Sequence, residues 1–505
     1  MLALILLAAF ALALWFWVWR WRSRLHAPFL SVPGPPALPL LGNTFQIVSK
    51  SSTELFHWML ELEKSYGKVY KVDGIYEYVL FYAAAEHVEK IMTCAEFNCK
   101  GDDYNVLLEW LGTGLLTSNG NKWFTHRKAL TSAFHFKILD NFVPVFDRKS
   151  SILVKKLLEN VGDTVEIFPL VKLYTLDVII ETAMGTASEA QTKQSKYTLA
   201  VEEIAAIAFF RMFNRIFYSD FVFQFSKLYE PYKRCLRTIH DFTLSVIEKR
   251  RQTLLLSSTA ASDRPDIQVQ DDRELGSRTK KALLDILLQT NIDGRPLTNE
   301  EVREEVDTFM FAGHDTTASA ITFILYALAK HPEIQEKVYE EIVFNIGTDK
   351  DAPVNISSLN DLKYLDLVIK ESLRKYPPVP FISRTAIKEA NLGGVILPAN
   401  TNITIGIYNM HHNAEYFPDP EQLIPERFET ERGAEKLNPY AYVPFSAGSR
   451  NCIGQKFAQY EIKSTISKVI RCCRVQLPFA SYEPPLKAEM ILKPMDDMPL
   501  RFYPR

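Results

Sequence analysis

The chain has 505 residues, of which 47% are hydrophobic, and its formal net charge is −2. This length and composition allow a large buried core. The near-neutral charge, without a long basic run, gives no support to nucleic acid as a partner. The six cysteines include no CxxC pair, so their scatter indicates neither a zinc site nor a disulfide framework.

The first nineteen residues, 1–19, contain no charged side chain. As a helix they would span about 28 Å, close to the thickness of a bilayer core, so we predict a transmembrane signal-anchor. Because Arg20, Arg22 and Arg24 follow this run and no basic residue precedes it, the N-terminus is predicted to be lumenal and the rest cytosolic. A cleaved signal peptide is the alternative, but it would need a basic start and a small-residue cleavage site.

Residues 20–44 are predicted to be a linker, basic at first and then proline-rich. Hydrophobic periodicity in 45–505 predicts mainly α-helices with a small β-rich part. A segment rich in Ser, Asp, Arg and Ala, 257–277, is predicted to be a solvated loop. The other predicted elements are a helix over 45–66, a hairpin with strands 69–72 and 78–81, and strands at 394–397 and 401–407.

A cysteine motif near the C-terminus has the pattern F-x-x-G-x-R-x-C-x-G, from Phe445 to Gly454. A cysteine between glycines suits a metal-binding thiolate, because the amides of the helix that follows favour the charged sulfur and lower its pKa. Gly448 would let the backbone approach a flat ligand, and Arg450 would neutralise an anion beside the metal. An inert, buried Cys452 is the alternative, but the fixed spacing of five residue types argues against it.

A second motif lies in a long predicted helix that opens with a capping box at Thr298 and Glu301. The helix contains Gly313, Asp315 and Thr316. Glycine costs about 1 kcal/mol in a helix, and Asp and Thr compete for backbone hydrogen bonds, so this composition indicates function. A hydroxyl and a neighbouring acid are groups that pass protons to a reacting oxygen. A kinked core helix is the alternative.

The remaining motifs are weak when taken singly. Trp123 and Arg127 share a helix face and suit a carboxylate, but such a pair is more often a surface cation–π contact. His126, between them, is predicted to be an exposed helix residue. Glu371 and Arg374 form an E-x-x-R pair, which is common on surfaces.

Along the chain, these motifs follow one another in the order expected for the cytochrome P450 monooxygenases, which they resemble. The segment Glu305 to Thr317 resembles family 4, whose members are mainly ω-hydroxylases of fatty acids and related chains. The resemblance implies a triangular helical body with a small β-rich subdomain, in which 45–505 is the catalytic domain. It implies a haem b whose iron is bound by Cys452. The endoplasmic reticulum membrane would hold the protein through its single N-terminal helix.

The same resemblance implies roles for individual residues. Thr316 would be the catalytic alcohol and Asp315 its acid partner. Glu371, Arg374 and Arg427, the last from a P-E-R-F motif, would form a structural core. The haem propionates would be held by Trp123, Arg127, Arg384 and Arg450, with Phe445 near the sulfur; the substrate pocket would include Leu115, Phe311, Ala312, Val379, Phe381 and Ile382.

The implied reaction inserts one oxygen atom from O₂ into a hydrophobic substrate. Long-chain fatty acids or related lipids are favoured over xenobiotics or hormones. Because no dinucleotide-binding fingerprint is present, electrons would come from a separate NADPH-cytochrome P450 reductase, with cytochrome b5 as a second donor. A haem sensor or carrier without turnover, and a hydroperoxide isomerase or dehydratase, are alternatives that Asp315 and Thr316 argue against.

One residue departs from the family 4 pattern. That family commonly has a glutamate where this chain has Ala312, and the glutamate forms an ester with a haem methyl. Alanine has no carboxylate, so we predict a non-covalent haem.

Overall fold

The computed structural model describes residues 1–505 except 39–40, 75–77, 132–133, 135, 160, 194, 215, 263–281, 293 and 430–436. Helices predominate in the described residues, as predicted. They are α1 Leu2–His26, α2 Thr44–Val48, α3 Ser52–Tyr66, α4 Ala85–Thr93, α5 Leu108–Leu111, α6 Gly120–Thr131, α7 Phe136–Leu139, α8 Val143–Leu157, α9 Ile167–Thr182, α10 Lys196–Phe213, α11 Asp220–Phe223, α12 Tyr229–Ser262, α13 Leu283–Gln289, α14 Asn299–Lys330, α15 Pro332–Asn345, α16 Ile356–Asp361, α17 Lys363–Lys375, α18 Ile407–His411 and α19 Gln455–Cys472.

The strands form small sheets. They are β1 Val69–Asp73, β2 Tyr78–Tyr82, β3 Cys99–Lys100, β4 Thr164–Glu166, β5 Asn291–Ile292, β6 Arg295–Pro296, β7 Phe381–Thr385, β8 Ala390–Leu392, β9 Val395–Leu397, β10 Asn402–Gly406, β11 Cys473–Gln476, β12 Leu486–Glu489, β13 Ile491–Pro494 and β14 Pro499–Pro504. One sheet has the order β1-β2-β10-β7-β3 and another the order β11-β14-β4, while β5–β6, β8–β9 and β12–β13 are hairpins.

The five-stranded sheet contains the predicted hairpin, because β1 and β2 pair antiparallel. Strand β10 then pairs parallel to β2, with Ile403 opposite Leu80, and both side chains are fully buried. On its other side β10 pairs antiparallel to β7, where Ile403 lies opposite Arg384. Arg384 in turn lies opposite Lys100 of β3. The sheet therefore places two cations side by side at one edge.

Two predicted elements differ from those observed. The helix predicted over 45–66 is divided into α2 and α3, because Ser51 begins α3 with a capping box: its hydroxyl accepts from Glu54 N–H and its own N–H donates to the Glu54 carboxylate. The predicted loop 257–277 is wrong at its start, where α12 continues to Ser262. Residues 263–277 of it lie outside the described residues.

Helix α14 runs through the core without interruption, and α9 packs along it. It begins at the predicted capping box, in which Thr298 accepts from Glu301 N–H at 3.1 Å. Gly313 has a packing reason: a Cβ there would lie 2.6 Å from Cδ1 of Ile179 on α9. The glycine thus permits close contact between two buried helices.

The N-terminal helix α1 covers the predicted helix over 1–19. Of the helices whose residues the structure describes, none combines the length and the apolar character needed to cross a bilayer. The membrane-spanning role predicted for 1–19 stays a prediction.

Candidate haem-thiolate site

Cys452 lies between a short helical turn, Gly448–Arg450, and α19. Its N–H donates to the carbonyl of Phe445 at 2.9 Å and closes the loop. Gly448 has a φ of +68°, and a Cβ there would lie 1.9 Å from the carbonyl oxygen of Met92. This glycine therefore permits close contact with the end of α4, while the predicted approach to a flat ligand stays a prediction.

Cys452 is an exposed residue, but protein atoms surround its sulfur closely enough to desolvate it. Burial by the surrounding protein raises the pKa of its thiol, although the Gly454 N–H and the Arg127 guanidinium lower it. The amide of the following helix thus acts in the predicted direction, but desolvation outweighs both this amide and the arginine. A coordinated cation reverses that balance, since it deprotonates the thiol that binds it.

Arginines surround the cysteine loop. Arg127 of α6 donates to the backbone carbonyl of Asn451 at 2.8 Å and to its side-chain oxygen at 2.6 Å. Arg450 stacks on Trp123, with its Cζ 4.1 Å from the ring centroid. The Trp123 indole therefore faces Arg450, its partner from the cysteine loop.

Several cationic side chains lie close together at this site and repel one another. Arg450 donates through Nε and Nη2 to Asn98 and Asn119, but its buried Nη1 has no hydrogen-bond partner among the residues that the structure describes. Burial, followed by repulsion from Arg384, lowers the pKa of Arg450 to about 10. Burial and both arginines also hold the pKa of Lys100 well below its usual value. A group with two carboxylates would satisfy these charges and the unpaired donor.

Thr316 and Ala312 lie on the partly exposed side of α14. The Thr316 hydroxyl donates to the Ala312 carbonyl at 2.7 Å. Asp315 is instead fully buried, and its Oδ2 lies 3.3 Å from Nζ of Lys493 on β13. Burial raises the pKa of Asp315, but Lys493, His314 and Lys172 together outweigh it, so the pKa lies below its ordinary value. Asp315 is therefore held as a carboxylate in an ion pair that the sequence did not suggest.

The predicted pocket residues fall into two groups. Leu115, Phe311 and Phe381 pack in or against the large hydrophobic core, and the Phe311 ring lies 4.6 Å from that of Trp110. Val379 and Ile382 pack with a second cluster around the five-stranded sheet.

The three residues predicted to form a structural core contact one another through Glu371. Arg374 donates from Nε and Nη2 to the two oxygens of Glu371, both at 2.8 Å, and Arg427 donates to Oε1 at 3.0 Å. Glu371 and Arg374 are fully buried. Since a buried charge is costly without partners, this triad fixes the segments that its members come from.

His411 links that core to the cysteine loop. Its Nε2 accepts from the N–H of Val443 at 3.0 Å, and its Nδ1 lies 3.2 Å from the carbonyl of Arg374. The ring must therefore be neutral, with its proton on Nδ1. Burial, helped by the nearby charges of His412 and Arg374, lowers the pKa of His411 to about 3.

Acid should destabilise the protein through His411. Its ordinary pKa is about 6.5, so the unfolded chain gains a proton below that pH while the folded chain does not. The free energy of unfolding should fall by about 1.4 kcal/mol per pH unit from about pH 6 to about pH 4 on account of this group. Denaturant unfolding across that range measures it, and His411→Gln should flatten the slope by about one proton. An unchanged slope in this variant would contradict the assignment.

A flat, dianionic cofactor with a central metal suits these donors, which places the protein in the class of haem-thiolate proteins. Residues 32–501 match the family model described as Cytochrome P450, and the chain belongs to that family.

Several relatives have family 4 names. Cytochrome P450 4d1 of Drosophila simulans is 42% identical over 482 residues, 94% of this chain and 93% of that protein. Cytochrome P450 4d10 of Drosophila mettleri is 41% identical over 95% of this chain and 92% of its own length, and cytochrome P450 4c3 of Drosophila melanogaster is 40% identical over 96% and 91%. The chain is thus a cytochrome P450 monooxygenase of family 4, an oxidoreductase whose cofactor is haem.

Proposed function

We propose that this monooxygenase inserts oxygen into long-chain fatty acids or related lipids. Xenobiotics or hormones are the second candidate class. The observation that carries the oxygenase assignment is the Thr316 hydroxyl on the partly exposed side of α14, next to Asp315, which Lys493 keeps ionised. A panel of fatty acids, hormones and xenobiotics, titrated into the protein and followed by the Soret spectral shift, separates the classes. Shifts with xenobiotics alone would refute the lipid assignment.

In this proposal Cys452 binds the haem iron, and Phe445, whose carbonyl accepts from the Cys452 N–H, packs beside the sulfur. Arg450, whose Nη1 has no partner in the described part of the chain, would hold the propionates together with Arg384, Trp123 and Arg127. When bound, the haem supplies the iron centre at which O₂ is reduced. Thr316 would present a hydroxyl proton on the partly exposed side of α14, and Asp315 would be its acid partner in proton relay.

Thr316→Ala should uncouple NADPH consumption from product formation. The variant keeps its fold, because only one hydrogen bond to Ala312 is lost, but product per NADPH should drop by about tenfold or more and hydrogen peroxide should accumulate. Thr317→Ala is the matched control, since the Thr317 hydroxyl makes the same kind of bond, to Gly313, and is buried. Equal coupling in both variants would remove Thr316 from its role. A sensor or carrier would give no NADPH-supported product at all.

The haem is proposed to be bound without an ester. Ala312 lies four residues before Thr316 on the same side of α14 and has no carboxylate. Acidic organic solvent should therefore extract all haem from the polypeptide, whereas Ala312→Glu should retain a fraction. Haem that stays with the unaltered chain after extraction would contradict this proposal.

The protein is proposed to be anchored in the endoplasmic reticulum membrane by a single pass of residues 1–19, with a lumenal N-terminus. The proposed linker over 20–44 begins within α1, which continues to His26, and the catalytic domain over 45–505 is proposed to be cytosolic. Large apolar side chains of α1, among them Leu7, Phe10 and Leu12, are more than 60% exposed. NADPH-cytochrome P450 reductase would supply electrons, and cytochrome b5 is the second donor. Release from microsomes by alkaline carbonate would contradict the anchor.

A further inference from the structure

A buried pair joins α6 to α14. Nδ1 of His126 lies 2.7 Å from Oε1 of Glu305, and the side chains are 4% and 0% exposed. The prediction that His126 is an exposed helix residue is therefore wrong. A carboxylate buried this deeply needs hydrogen-bond donors, and the imidazole N–H supplies one.

The second oxygen of Glu305 holds the chain that precedes α6. Oε2 accepts from the N–H of Leu115 at 3.1 Å. The surrounding turn lies tightly against α14: a Cβ on Gly112, whose φ is +56°, would lie 2.3 Å from Oε1 of Glu304. One carboxylate thus contacts both α6 and a predicted pocket residue.

The contacts continue from α6 to the cysteine. Arg127, next to His126, binds Asn451 through two hydrogen bonds, and Asn451 precedes Cys452. Trp123, one helical turn earlier, packs on Arg450 of the same loop. The position of α6 therefore affects both the thiolate loop and the arginines around it.

We propose that Glu305 and His126 are positioning residues, which hold the haem-binding helix α6 and the turn at Leu115 in place against α14. Neither residue is assigned to haem contact. Their role is to keep Trp123 and Arg127 in place against the cofactor, so their loss should loosen haem. The proposal uses the haem of the family and is independent of the substrate class proposed above.

The chain offers a matched control. Nζ of Lys122 lies 2.9 Å from Oε2 of Glu304, so this pair joins the same two helices at neighbouring positions, but the Lys122 side chain is 34% exposed. Without Lys122 both oxygens of Glu304 keep a donor from Thr113, whose N–H lies 2.9 Å from Oε1 and whose hydroxyl lies 3.1 Å from Oε2. Loss of His126 instead takes a donor from a fully buried carboxylate. Lys122→Met should therefore behave like the unaltered protein.

The test measures haem transfer from the holoprotein to excess apomyoglobin. His126→Phe keeps a ring but no N–H and should lose haem about tenfold faster, as expected for loss of a hydrogen bond to a charged group, while His126→Asn, which keeps a donor, should recover most of the retention. The double variant Glu305→Leu/His126→Phe replaces both polar partners. Hydrogen exchange of the Leu115 amide should be faster in it, because that N–H loses its Glu305 acceptor. That double variant serves if His126→Phe alone does not fold.

Two results would overturn the proposal. One is haem loss from the His126 variants at the rate of Lys122→Met. The other is haem loss from His126→Asn that is as fast as from His126→Phe. That result would show that packing of the ring, and not the hydrogen bond, retains the haem. Faster haem loss in His126→Phe together with recovery in His126→Asn would support it, whatever substrate the enzyme uses.

Discussion

Cys452→Ser is expected to abolish oxygenase activity and to remove the red-shifted Soret band of the reduced, carbon monoxide-treated protein. A serine hydroxyl stays protonated near neutral pH and cannot replace a thiolate as the axial ligand. The loss should exceed the roughly 100-fold effect typical of removing an outer partner of a metal ligand. The spectrum and NADPH-supported turnover, measured with added reductase, test it together.

Cys94→Ser is the control for Cys452→Ser. Cys94 is partly buried and follows α4, whose end lies against Gly448 of the cysteine loop. Because it is not the cysteine of the motif, its replacement should leave the band intact. A normal red-shifted band in Cys452→Ser would refute the assignment of the axial ligand.

Glu371→Ala should give a polypeptide that is largely free of haem. Removal of this carboxylate leaves Arg374 and Arg427 without their shared partner, and breaking a buried ion pair from one side costs about 3–5 kcal/mol. The effect should reach the site because the Arg374 carbonyl contacts His411, which in turn holds the N–H of Val443 before the cysteine loop. Haem content per polypeptide and the free energy of unfolding measure the effect.

Glu426→Ala is the matched control for Glu371→Ala. Glu426 belongs to the same Pro425–Phe428 turn as Arg427, but its side chain is 28% exposed and pairs with Lys337 on the surface. Its replacement should cost less than about 1 kcal/mol. Similar haem contents in the two variants would show that the Glu371 triad does not support the site.

Several features could be predicted from motifs because the interacting residues lie within one short segment of the chain. The capping box at Thr298 and the E-x-x-R pair at Glu371 involve partners three residues apart, so spacing alone indicated them. The cysteine motif, through the family that it resembles, indicated haem from residue types and spacing alone. The hairpin of β1 and β2 was likewise predicted from local alternation and turn residues.

Other features depend on residues that are far apart in the chain. Lys493 meets Asp315, Glu305 meets His126, and Val443 meets His411 across separations that no local pattern encodes. Burial also shifts the pKa of side chains that belong to the motifs. It raises the pKa of Cys452 although the Gly454 amide acts in the predicted direction.

The sequence by itself determined the family, the haem-thiolate chemistry and the predominance of helices, because these depend on local spacing and periodicity. Only the tertiary structure decided which partners the charged groups have. Packing brought distant segments together and excluded water from Asp315, Glu305 and Glu371. The interactions of a buried charge depend on all the segments around it, and those are known only once the chain is folded.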